Sequence, residues 1–228
     1  MLEEALGLYL NDADMYSDFQ ADFPNMPVYL GTLLGKLAAS GTFTMGDTIG
    51  MFTPGFKASG HAGDLIACAV ATLASATSAD KAIEAVEDAS TFTLCDWLSP
   101  GAARRALSRL EPAGAVTVFA DLDALHQVCV AAADCTEEGA AAALAVLGAL
   151  EPESRADPPF RVQTFTALLD VAAEKAQDGR SYKTDVLGAS VAQLATALKS
   201  LAQGDEGVDS VTPQCIRATQ GLAHLRKN

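Results

Sequence analysis

Asp18 and Asp22 stand four residues apart, immediately before the run Phe23-Pro24-Asn25-Met26-Pro27. That spacing either stacks two carboxylates on the last turn of a helix or places them beside a connecting loop. Such a pair complements the partial positive charge at the start of the next helix, or it attracts a basic surface. A second group of chemically able residues is His126, Cys129 and Cys135, where the first two share a helical face and the third follows nearby. Three zinc ligands could be drawn from them, but zinc sites are built from paired, closely spaced ligands and no second pair exists here. A packed helical histidine is the simpler reading. His61 and His224 are remote from this group and from each other. There is no Gly-x-Ser-x-Gly elbow and no His-Glu-x-x-His pair. The run Gly31-Thr32-Leu33-Leu34-Gly35-Lys36 is one residue short of a phosphate-binding loop, and Leu37 follows where Ser or Thr is needed. These patterns point away from catalysis, metals and cofactors, which leaves the acidic pair as the candidate site.

The elements that position this pair can be read from the prolines. Pro24 disfavours a helical Phe23, and Pro27 presets the backbone of a first helical turn. Val28, Leu30, Leu33, Leu34 and Leu37 then offer an apolar stripe, so a helix is predicted from Pro27 to Ser40-Gly41. Gly31 and Gly35 within it suit the close approach of another helix. Upstream, Leu2, Leu6, Leu8, Tyr9, Met15 and Phe19 suggest one helix or a broken pair. Thr44 should cap a short helix over Met45 to Phe52, ended by Pro54-Gly55. His61 to Ala76 reads as a strongly apolar helix, followed by one from Lys81 to Ala89. Next comes the aromatic stretch Thr91 to Leu98, in which Trp97 reads as a core anchor. Pro100-Gly101 marks the predicted boundary between domains 1–101 and 102–228. Beyond it helical patterns cover Ala102–Leu110, Ala120–Ala133, Glu137–Leu150, Phe160–Gln177, Thr184–Gln203 and Pro213–Lys227, joined by exposed connections at Glu151–Pro159 and Gly204–Thr212. No strand is predicted. The expected fold is all-α, with antiparallel helix pairs stacked as a HEAT-like α-solenoid.

Hydrophobic residues make up 50% of the 228, enough for a real core. The net charge of −14 argues against a phosphate-binding surface, because nucleic-acid binding needs clustered Lys and Arg. Residues 1–100 hold 13 acidic and 3 basic side chains, so the acidity is concentrated where Asp18 and Asp22 lie. The field favours a basic partner. Five scattered cysteines read as reduced, buried small hydrophobes. The basic n-region of a signal peptide is missing, and no apolar run is long enough to span a bilayer, so a cytoplasmic location is expected.

Several of these residues also carry a family likeness. The Asp-x-x-x-Asp-x-Pro core (Asp18, Asp22, Pro24), then Tyr29-Leu30, Gly41 and Met45-Gly46-Asp47, resembles the second half of an MA3 domain. The likeness is greatest to the MA3 domain of the large scaffold subunit (4-gamma) of eukaryotic translation initiation factor 4. His61 through Leu73 to Leu94, Trp97, Leu98 and Pro100-Gly101 is similar to the segment that closes that domain, and Leu122 to Asp178 more faintly resembles the W2 region that follows it. The resemblance covers roughly residues 5–101. It implies that Asp18 and Asp22 contact a DEAD-box RNA helicase of the initiation factor 4A type, with Phe23, Asn25 and Pro27 shaping the adjoining loop. Other translation factors or a kinase are the further partners it suggests. The first half of an MA3 domain is missing, and the aromatic-acidic boxes expected near a W2 terminus are absent from Gly204 to Asn228, which speaks against kinase docking. The expectation is therefore a non-enzymatic protein-binding scaffold module. The alternative is a structural helical subunit of a larger ribonucleoprotein or enzyme complex.

Overall fold

The computed structural model describes residues 6–7, 10, 12–87, 92–179, 181–203 and 211–225, with the backbone alone at 221–225. Leu2, Leu8, Tyr9, Thr91 and most of the connection 204–212 lie outside the described residues, as does the His224 side chain. The fold is all-α among the described residues, apart from one short strand pair. The chain divides into two compact units, residues 1–122 and 123–228, so the Pro100-Gly101 turn falls inside the first.

In the first unit, α1 (Ala13–Asp22) is capped by Asp12, whose carboxylate accepts the N–H groups of Asp14 and Met15 at 3.0 Å. Pro24 ends it at Phe23. Next, α2 (Met26–Ala39) starts with Pro27 in its first turn. Thr44 caps α3 (Met45–Gly50) as expected, and the structure completes a capping box: the Asp47 N–H donates to Thr44 Oγ1 at 3.0 Å, and the Thr44 N–H donates to Asp47 Oδ2 at 2.8 Å. After α4 (Pro54–Ala58) comes α5 (His61–Ala76), buried without a break from Ala62 to Val70. A helix apolar on every side must lie in a core. Around α5 pack α2, α4, α6 (Ala79–Glu87), a 3-10 turn at Leu94–Trp97, and α7 (Ala103–Leu110).

The apolar stripe of α2 is not the predicted one. Its buried face is Pro27, Gly31, Leu34 and Gly35, while Val28 and Leu33 are exposed. The reason is backbone proximity to α5. A Cβ at Gly31 would come within 2.9 Å of the Leu65 carbonyl oxygen, and one at Gly35 within 2.6 Å of the Thr72 Cβ. Larger side chains on that face would force the helices apart. Because Gly31 meets Leu65, Cys68 and Ala69, and Gly35 then meets Ala69 and Thr72, the contact advances in the same direction along both helices. The two run parallel, because α3 and α4 carry the chain back between them.

In the second unit, α8 (Ala120–Ala131), which starts at the end of the first, leads to α9 (Glu137–Ala149), capped by Thr136, and to the short α10 (Pro152–Ala156). The centre is α11 (Pro158–Ala176), buried continuously from Phe160 to Leu169. Several of its buried polar groups are paired locally or with a neighbouring element. Thr164 and Thr166 donate to the carbonyls of Phe160 and Val162, and the Arg161 Nε–H donates to the Leu201 carbonyl at 2.9 Å. Gln177–Asp178 (β1) and Ser181–Tyr182 (β2) pair antiparallel, the strand structure that the sequence reading omitted; two residues are too short for any alternation to show. The predicted helix Thr184–Gln203 is broken at Leu194 into α12 (Thr184–Gln193) and α13 (Ala195–Gln203), and α14 (Thr212–Leu225) follows. All five cysteines are buried free thiols. Among the described residues no helix is long and apolar enough to cross a membrane.

Candidate functional site: the α1–α2 corner

Asp18 and Asp22 are both exposed on α1, one turn apart on one face of the helix, so the first of the two sequence alternatives holds. Neither carboxylate has a hydrogen bond or ion pair with another described residue. Two like charges at this spacing repel by a few tenths of a kcal/mol, a small standing cost that a cationic partner would remove. Phe23 closes the helix with 62% of its surface exposed, and Asn25 is exposed at the head of α2 without a side-chain cap bond. Pro27 is buried, so it shapes the helix start and not the accessible surface.

The sequence reading missed the apolar part of this corner. Tyr29 is 68% exposed and Leu33 41%, one turn apart on the outer face of α2, with Val28 beside them. Of the six large hydrophobic side chains most open to solvent among the described residues, four therefore belong to Phe23–Leu33. Isolated exposed apolar residues need no explanation, whereas several on adjoining turns make this corner the place to look for an interaction surface. The available signal was the Gly31/Gly35 pair: once the glycines define the buried face, Tyr29 and Leu33 must point away from it.

What holds α1 in place is an aromatic anchor. Tyr16 is fully buried, its ring 5.0 Å from Phe56 edge to face and 4.8 Å from the His61 ring. Burial pushes the Tyr16 hydroxyl far above the usual tyrosine range, with the Asp64 charge adding to the effect, and the hydroxyl has no hydrogen-bond partner. Beside it, Ser17 Oγ lies 2.9 Å from His61 Nε2. A serine paired with a histidine invites a nucleophile–base reading, but Ser17 Oγ also lies 2.8 Å from the Ala13 carbonyl, which can only accept. The single hydroxyl proton goes there, so His61 donates from Nε2 and cannot act as a base toward Ser17. The pair is a latch between α1 and α5. Burial holds the His61 imidazole below its ordinary pKa, with Asp64 opposing the shift.

Asp64 belongs to a different arrangement. Its buried carboxylate receives Arg105 Nη2 at 3.1 Å and Arg109 Nη1 at 3.0 Å, clamping α5 to α7. This pairing, together with buried Ala103, Ala106, Leu107 and Leu110, is why the stretch after Pro100-Gly101 packs with the first unit. In the second unit Cys129 and Cys135 are buried, and burial raises the Cys135 thiol. Among the described residues no three His, Cys, Asp or Glu side chains gather as a metal site.

Comparison with protein-family models, curated proteins and solved structures gives no match. The functional reading therefore rests on the geometry of the corner.

Proposed function

We propose that the chain is a non-enzymatic protein-binding module that captures a basic, amphipathic segment at the α1–α2 corner. The observation that carries this is the adjacency in sequence of two unpaired carboxylates, Asp18 and Asp22, to the exposed Phe23, Tyr29 and Leu33. Carboxylates steer and orient a cationic partner, and the aromatic residues supply the area that holds it. A DEAD-box RNA helicase is the partner to test first, because the acidic pair matches the contact positions that the MA3 resemblance implies. A cytoplasmic translation-initiation scaffold with HEAT-like helix stacking belongs to the same proposal. The test is helicase affinity for the wild type, Asp18→Asn/Asp22→Asn and Tyr29→Ala, at low and high salt, with thermal melting as the folding control. Neutralising both acids should weaken binding by about tenfold at low salt and by less at high salt, where the charges are screened. Tyr29→Ala should weaken it at both. A folded double variant that binds as tightly as wild type at low salt would refute the site.

A further inference from the structure

We infer that a second site in the first unit, at the Phe92–Phe119 cavity, receives the guanidinium of an arginine side chain. The cavity is about 640 Å³, lined by Val86, Phe92, Val118 and Phe119, with Glu87 and Asp96 also lining it and no lysine or arginine among the described lining residues. Its volume lies in the range of ligand-binding clefts. The walls continue an aromatic column. Phe92 stacks on Trp97 with ring centroids 4.1 Å apart and planes within 7°, covering one face of the indole. The Lys57 ammonium lies 4.7 Å from the Trp97 ring centre and so must occupy the opposite face. Trp97 is thus already stacked on by a cation at one end, and Phe92, with one face spent on Trp97, offers the rest of its ring to the cavity. Phe119, 6.0 Å away and tilted by 57°, forms a second wall.

The charges select the occupant. Glu87 is exposed and makes no hydrogen bond or ion pair with a described residue. Asp96 accepts the Thr93 hydroxyl at 2.5 Å, which fixes its carboxylate and leaves its negative charge unneutralised. Aromatic faces beside free carboxylates suit a cation that is planar, weakly hydrated and able to donate to two acceptors, which describes guanidinium better than ammonium. The source of that arginine rests on the proposed capture of a basic segment; the cavity chemistry does not.

The chain has one tryptophan, and Trp97, stacked on the cavity residue Phe92, reports on this site through that contact. The experiment titrates the whole chain with N-acetyl-argininamide, N-acetyl-lysinamide and tetramethylammonium. The expected result is a saturable change with the arginine compound, weakened roughly fivefold by Glu87→Gln and by Asp96→Asn, and unaffected by Asp18→Asn/Asp22→Asn. Glu87 is exposed, so Glu87→Gln should fold as the wild type does. No saturable response overturns the proposal, as does a response that Glu87→Gln and Asp96→Asn both leave unchanged. An equal or stronger response to the lysine compound or to tetramethylammonium overturns the assignment to guanidinium. Loss of arginine binding only in the Asp18/Asp22 variant would place the effect at the corner and also overturn it.

Discussion

Replacing Gly35 by alanine tests the packing that exposes the α1–α2 corner. A Cβ there would lie 2.6 Å from the Thr72 Cβ and closer still to the Ala69 carbonyl oxygen, against the 3.4 Å at which ordinary contact begins. The deficit is about 0.8 Å or more, and neither contact can rotate away, the carbonyl being backbone and the Thr72 Cβ being fixed by its own backbone. Overpacking of this kind costs typically about 1–3 kcal/mol, and the backbone contact places Gly35 at the upper end. Alanine recovers about 1 kcal/mol of helix propensity. The net expectation is a loss of about 2 kcal/mol. For a unit of this size that corresponds to a fall of about 8 °C in Tm, or an earlier urea midpoint followed by Trp97 fluorescence. Gly50→Ala is the control: it lies in the same unit, on helix α3, with nothing within 4 Å of the added carbon, and should be neutral or slightly stabilising. If Gly35→Ala proves as stable as Gly50→Ala, the glycine face is not what sets the α2–α5 contact, and the exposure of Tyr29 and Leu33 loses its explanation.

Two further outcomes follow from the same unit. Asp64→Ala should destabilise by about 2–3 kcal/mol in chemical denaturation, less than for a fully buried ion pair because Arg105 keeps much of its solvent contact; a change under 0.5 kcal/mol would show that the clamp on α7 contributes nothing. For His61 the folded pKa is depressed by burial, so the unfolded chain takes up the proton first as pH falls through about 6.5. The contribution is present above that pH and is lost below it, and the difference in urea midpoint between wild type and His61→Gln should shrink between pH 8 and pH 5.5; a difference independent of pH would contradict the burial of the ring.

Helix by helix, much of this protein is legible in its sequence. Pro24 and Pro27 set the α1–α2 junction, Thr44 announces the cap of α3, and the unbroken apolar runs of α5 and α11 mark the two core helices. These features depend on neighbours within a turn or two, where local sterics and hydrogen bonding decide. The acidic pair was legible for the same reason, since residues four apart on a helix share a face wherever the helix goes. Tertiary structure decided the rest. Which side of α2 is buried turned on two glycines meeting the α5 backbone, a contact between segments some 35 residues apart, and that choice alone turned Val28 and Leu33 from expected core into surface. The Ser17–His61 latch, the Asp64–Arg105–Arg109 clamp and the Lys57–Trp97–Phe92 column likewise join residues whose spacing carries no local signal. Sequence periodicity can show that a helix has an apolar face, but only the partner helix determines how near that face must come, and therefore which residues are left for solvent and for binding.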